Sequence, residues 1–199
     1  MRAWVVTGPV GAGKSTVARL LQRHGAALLD ADKLGHEVLA RPDMVTRVAR
    51  VFGAGCVVDG AVDRRALGAI VFADRQAMDR LNALTHPPLL DLIGRRLKAL
   101  EAAGKHDLAV LEAAVYFLWP PLEGIDRVIS VLASETVRRR RLAARRGLDD
   151  EAITRILRTQ DSLEPHWRRA DILLWNDGTP KELEEAVRGL LNKLDRSKS

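Results

Sequence analysis

Cysteine is nearly absent from this chain. Among 199 residues there is one, Cys56, which excludes an internal disulfide framework and fits a reducing compartment. No Cys or His stands at metal-ligand spacing from it, and His24, His36, His106 and His166 share no such spacing among themselves. Aromatic residues make up only 4% of the sequence, and none is interleaved with its densest arginine run. A stacking platform for nucleic acid is therefore not expected. No run of about 18 apolar residues occurs, so no membrane span is expected. The first apolar run begins at Ala3 and is expected to leave no place for a signal peptide ahead of it; a cytoplasmic location is the expectation.

What is present is a substantial apolar fraction, 47%, and a net charge of +6. That length and apolar content suit one α/β domain with an inserted or appended helical part. The positive balance suits a polyanionic ligand, either nucleic acid or a small phosphorylated molecule. Much of the charge sits in Arg138–Arg141 and Arg145–Arg146. Four adjacent arginines on a helix cannot all face one site, so at least half of them must be solvated surface.

The strongest signal is Gly8-Pro9-Val10-Gly11-Ala12-Gly13-Lys14-Ser15, followed by Thr16. It fits the P-loop pattern in its proper setting. The apolar run Ala3–Val6 reads as a strand before it, and Val17, Ala18, Leu20 and Leu21 recur at helical spacing after it. A strand, a glycine-rich turn and a helix N-terminus form an anion site, because unsatisfied N–H groups and the helix dipole point at one place. Gly11, Ala12, Gly13 and Lys14 are expected to cradle the phosphates of a nucleoside triphosphate. Lys14 reaches the β- and γ-phosphates, the Ser15 hydroxyl ligates Mg²⁺, and Thr16 lies within reach of the α-phosphate.

Strands are expected near 2–7, 26–30, 107–113, 127–132 and 171–175. Helices are expected at 14–24, 134–145, 149–160, 162–169 and 179–194. Five short apolar strands alternating with helices describe a P-loop NTPase-type five-stranded parallel sheet flanked by helices. Between strands two and three lies a long helical stretch, Asp32 to about Gly104, too long for a simple crossover. Its helical patterns run Val38–Phe52, Arg64–Phe72, Met78–Leu84 and Leu89–Leu100. The expected organisation is a single domain: core 1–31, 105–133 and 171–195, an inserted helical substrate-binding subdomain of about 32–104, and a helical lid of about 134–170.

Ligands of such sheets bind beyond the carboxyl ends of the strands. Asp30-Ala31-Asp32 ends strand two, and two carboxylates there can divide their work. One can hold Mg²⁺ or its waters while the other, Asp32, accepts a proton from an attacking hydroxyl. Capping of the following helix equally explains one of them. Glu112 ends strand three, where a carboxylate holds Mg²⁺ directly or through water, or is an ordinary strand-end acid. Arg141 and Arg145, four apart, share a helix face and suit charge on a transferring phosphoryl group. Asn176 follows the last strand, where it could hold the adenine ring or simply build an Asn-Asp-Gly turn. His86-Pro87 is expected to open a helix, with His86 either facing the acceptor or bonding structurally.

Taken together, these pieces resemble the dephospho-coenzyme A kinase family over nearly the whole chain. The resemblance is carried by Val5–Thr16, Asp30–Asp32, Phe52-Gly53-Ala54 and Asp63–Leu67. It continues through Val71-Phe72, Leu81–Pro87, Arg141 and Arg145 with Gly147-Leu148 and Gln160, and Ala170-Asp171 through Asn176–Gly178. Departures are Pro9 for the family's second glycine, Glu112–Leu118 in place of its usual strand-three motif, and Arg146 where an acid is common. The resemblance implies transfer of a phosphoryl group from ATP, with Mg²⁺, to the ribose 3′-hydroxyl of dephospho-coenzyme A. It implies Asp32, Lys14 and Arg145 as catalytic residues, and Arg64, His86, Glu112 and Asp32 as acceptor-binding residues. A monomer or small homo-oligomer acting without nucleic acid or membrane is expected. The alternatives are another small-molecule P-loop kinase of shikimate or gluconate type, and a nucleotide-dependent nucleic-acid-binding regulator.

Overall fold

A computed structural model describes residues 1–146, 148–160 and 163–196, with the side chains of 145, 146 and 193–196 left out. The chain divides into two compact units, Met1–Leu29 with Ala99–Ser199, and Asp30–Lys98.

The first unit is built on β1 (Arg2–Thr7), β2 (Ala27–Asp30), β5 (Leu108–Glu112), β6 (Arg127–Leu132) and β7 (Ile172–Trp175), in the order β2-β5-β1-β6-β7. β1 runs parallel to β5 with Val6 opposite Glu112, and parallel to β6 with Thr7 opposite Ser130. β6 and β7 are also parallel, Leu132 opposite Trp175. β1 is buried from Ala3 to Thr7, and β5 from Leu108 to Leu111. Such continuous apolar strands need cover on both faces. Part of that cover comes from α1 (Lys14–Arg23) and α9 (Pro180–Arg196). Val17, Ala18, Leu20 and Leu21 of α1, with Leu183 and Val187 of α9, join Trp4, Val6, Val110, Ile129 and Val131 in one core. After β6 come α6 (Glu135–Arg146), α7 (Asp150–Arg158) and α8 (Glu164–Trp167). The five-stranded parallel sheet expected from the sequence is thus present, with strand bounds within a residue or two.

The second unit is mostly helical: α2 (Ala31–Leu39), α3 (Pro42–Phe52), α4 (Arg64–Ala73) and α5 (Arg75–Ala103). Three expectations need correction here. The stretch is not wholly helical, because β3 (Val57–Val58) and β4 (Ala61–Val62) form an antiparallel hairpin. Its two-residue turn, Asp59-Gly60, has φ of 50° and 76°, the positive pair that a tight hairpin turn demands and Asp-Gly supplies. The pattern read as Val38–Phe52 is two helices, since Pro42 starts α3 at its first turn and cannot continue α2. His86-Pro87 does not open a helix: Pro87 and Pro88 lie inside α5, which unites the two patterns expected apart. Proline in a helix interior costs about 3 kcal/mol. Here one buried face, Leu84, Leu89, Ile93 and Leu97, runs past both prolines and holds the helix together.

Candidate active site

The loop after β1 turns through three glycines of positive φ: Gly8 at 130°, Gly11 at 78° and Gly13 at 105°. Two of these also admit no side chain. A Cβ on Gly8 would strike the carbonyl oxygen of Val131, and one on Gly13 would strike Nδ2 of Asn176. The loop closes on itself: the Ala12 N–H donates to the Pro9 carbonyl at 3.3 Å, and Lys14 Nζ donates to the same oxygen at 3.0 Å. α1 then begins with no side chain capping it. An uncapped helix start of this kind, with the helix dipole behind it, is suited to receive an anion.

Beside this cradle, Ser15 Oγ donates to Glu112 Oε1 at 2.5 Å. Sheet register produces the contact, because β5 lies directly against β1 and ends level with the loop. Both groups are half-buried. A hydroxyl and a carboxylate are hard oxygen donors of the kind Mg²⁺ takes, a cation usually held by one or two carboxylates with water and phosphate oxygens completing its shell. Among the described residues no group of three or more His, Cys, Asp or Glu forms a closed metal cage. One hydroxyl and one carboxylate fit a cation whose other ligands are water or phosphate oxygens.

The other side of the loop is held by β7 and α6. Asn176 is 6% exposed; its Nδ2 donates to the Ala12 carbonyl at 2.7 Å, and its own N–H donates to Leu132 at 2.8 Å. Arg141 donates to the carbonyls of Gly11 and Ala12 at 3.4 and 3.3 Å, and to Asn176 Oδ1 at 3.4 Å. Burial, together with neighbouring Arg140, holds the Arg141 guanidinium below the usual arginine range, while Asp177 acts in the opposite sense. Asp177 accepts from the Ser134 N–H at 2.7 Å, tying the β7 end to the start of α6. Asn176 and Arg141, both read from the sequence as nucleotide contacts, thus spend these hydrogen bonds on the glycine-rich loop itself.

The remaining candidates divide by unit. Thr16 is exposed one residue into α1. The Arg145 side chain lies outside the described residues. Asp30, Asp32, Arg64 and His86 belong to the second unit. Asp30 caps α2, its Oδ1 accepting from the N–H groups of Asp32 and Lys33 at 3.1 Å each. Capping therefore accounts for Asp30, and Asp32 stands exposed in the first turn of α2. Arg64 is exposed at the start of α4, whose cap is Asp63. His86 is half-buried in α5, and that burial lowers its pKa below the usual 6.5. Two loop contacts involve residues that carry the resemblance but had no role expected of them. Gln160 Oε1 accepts from the Val10 N–H at 2.8 Å. The Val10 side chain packs with Leu142, Ile153, Leu157 and Leu148.

A parallel sheet ordered β2-β5-β1-β6-β7, with a phosphate-binding loop after its central strand and a hydroxyl–carboxylate pair beside it, defines a P-loop kinase. The family model for dephospho-CoA kinase (CoaE) matches residues 4–182. The chain is 38% identical over 184 residues to a dephospho-CoA kinase of Geobacter sulfurreducens, covering 92% of this chain and 93% of that one. Among solved structures it resembles a Thermus thermophilus protein at a TM-score of 0.76 and 35% identity, covering 97% of each chain. It also shares the fold of a dephospho-CoA kinase from Campylobacter jejuni, at a TM-score of 0.72 and 22% identity over the full length of both. The chain belongs to the dephospho-CoA kinase family, and membership makes it an ATP-using kinase.

Proposed function

We propose that this protein transfers the γ-phosphoryl group of ATP to the ribose 3′-hydroxyl of dephospho-coenzyme A, giving coenzyme A and ADP. The observation that carries the reading is the Ser15–Glu112 pair beside the uncapped start of α1, in a chain of this family. Family membership favours this acceptor over shikimate or gluconate. The Asp30–Lys98 helices are the acceptor-binding part, and 134–170 acts as a lid that excludes water during transfer.

In the transfer, the hydroxyl oxygen forms a bond to the γ-phosphorus as the bond to the β–γ bridging oxygen breaks, and that oxygen leaves on ADP. The hydroxyl proton passes to the Asp32 carboxylate, which orients the attack; Asp32 stands two residues beyond the end of β2, in the first turn of α2. Lys14 and Arg145 neutralise charge that spreads over the equatorial oxygens. Gly11, Ala12, Gly13 and Thr16 hold the phosphates, and Arg141 and Asn176 keep that loop in shape. Arg64 and His86 bind the acceptor. Ser15 and Glu112 hold Mg²⁺, with Asp30 committed to its cap. The ion supplies charge neutralisation at the β- and γ-phosphates. A cytoplasmic enzyme, monomeric or a small homo-oligomer and independent of nucleic acid, completes the reading.

The test is ADP release from ATP and Mg²⁺ with and without dephospho-coenzyme A, with mass spectrometry of the acceptor. Acceptor-dependent turnover and a gain of one phosphoryl group are expected. Turnover with shikimate or gluconate in its place overturns the acceptor assignment.

A further inference from the structure

Gln160 lies just past the end of α7, far along the chain from the loop it touches. Its Oε1 accepts the Val10 backbone N–H at 2.8 Å. The side chain of the same Val10 enters a small apolar cluster with Leu142 of α6 and Ile153 and Leu157 of α7, flanked by Leu148. One residue of the phosphate-binding loop is therefore held twice by the helices that follow β6, once by its amide and once by its side chain. Asn176 and Arg141 hold the same loop through the carbonyls of Gly11 and Ala12. The Val10 N–H belongs to the peptide plane before the Val10–Gly11 unit and the Gly11 carbonyl to the plane after it, so the loop is anchored on both sides of that unit.

We infer that Gln160 is a positioning residue: its acceptor oxygen fixes the loop in the shape that receives the nucleotide phosphates. The residue touches no reacting atom in this scheme. It acts by raising the fraction of molecules whose loop is competent, and apparent nucleotide affinity scales with that fraction. The chemistry required at position 160 is an acceptor at the end of a four-atom reach. Glutamate supplies it. Methionine has the same length but only a weak sulfur acceptor, and asparagine has the oxygen but falls one carbon short.

The inference rests on the proposed use of ATP but not on the identity of the acceptor, so the first readout omits the acceptor. ATP binding is measured by calorimetry for the full chain and for Gln160→Met, Gln160→Asn and Gln160→Glu. Protection of the Val10 amide from hydrogen exchange is followed in the nucleotide-free proteins. The expected result is about tenfold weaker ATP binding in Gln160→Met and Gln160→Asn, with faster Val10 exchange. Gln160→Glu should stay within about twofold of the parent. Where the parent is active, the loss should fall on the KM for ATP with kcat little changed. Unchanged ATP affinity in Gln160→Met overturns the inference. So does an equal loss in Gln160→Glu, because acceptor capacity would then not be what matters. Should the parent bind ATP yet leave dephospho-coenzyme A untouched, the acceptor assignment falls while the Gln160 comparison still stands or fails on its own binding data.

Discussion

The Asn176 side chain, buried one residue past the end of β7, donates its amide to the carbonyl of Ala12 at 2.7 Å and receives Arg141 on its oxygen at 3.4 Å. An edge strand thereby reaches across β6 to hold the loop that follows the central strand. The contact also explains Gly13, whose missing Cβ leaves room for the same amide.

Replacing Asn176 by alanine removes the shorter of two donors to the Ala12 carbonyl and the acceptor for one Arg141 N–H, a loss of about 1–3 kcal/mol. Part of that loss is expected as lowered stability in urea titration and part as a higher KM for ATP, with the KM for the acceptor little moved. Asn176→Asp should impair ATP use more than Asn176→Ala. A carboxylate cannot donate to the Ala12 carbonyl and sets two acceptors face to face. Equal ATP kinetics in the parent and both variants would contradict the anchoring role.

Lys14→Ala is expected to lower kcat/KM by about 10²–10³-fold, the usual cost of removing a preorganised charge from a transition state. Asp32→Asn should cost about 10²–10⁴-fold, mostly in kcat, as expected of a general base. Both should keep a parental circular dichroism spectrum, since neither side chain enters the core. Near-full turnover in Asp32→Asn would remove it from the proton-transfer role.

Glu112→Gln keeps shape and the hydrogen bond to Ser15 but removes one negative charge from the proposed cation site. The Mg²⁺ concentration giving half-maximal rate should rise about tenfold or more, with partial recovery of rate at high Mg²⁺. A rate loss with no change in Mg²⁺ dependence would place Glu112 outside the metal's shell.

Burial holds His86 below its usual 6.5. The unfolded chain therefore takes up the proton more readily than the folded one. Stability from this group is complete above pH 6.5 and declines as pH falls through the folded-state value. In thermal melts from pH 7.5 down to 5, His86→Gln should flatten that acid-side decline while changing little at pH 7.5. An identical slope in the variant would mean that other groups produce it.

The phosphate-binding loop, the five strands and their parallel sense were legible in the sequence, because each rests on local rules. Glycines at fixed offsets permit positive φ, apolar runs without alternation need cover on both faces, and strand–helix alternation implies crossovers. The hairpin at Val57–Val62 was also written locally, in Asp59-Gly60, but was passed over inside a helical neighbourhood. His86-Pro87 misled for the opposite reason. Proline is a sound local sign of a helix start, and only the buried stripe of Leu84, Leu89, Ile93 and Leu97 carries one helix past it.

Sequence alone therefore determined the chemistry available: a lysine and serine at a helix start, a carboxylate at a neighbouring strand end, and arginines on the helix after β6. Tertiary structure decided which of these meet. Ser15 finds Glu112 because β5 lies against β1, Ala12 is held by Asn176 because β7 ends beside β6, and Val10 is held by Gln160 because α7 folds back onto the loop. These partners stand from 97 to 164 residues apart. No local preference encodes such pairings; they follow from strand order and register, which the burial of the whole core selects.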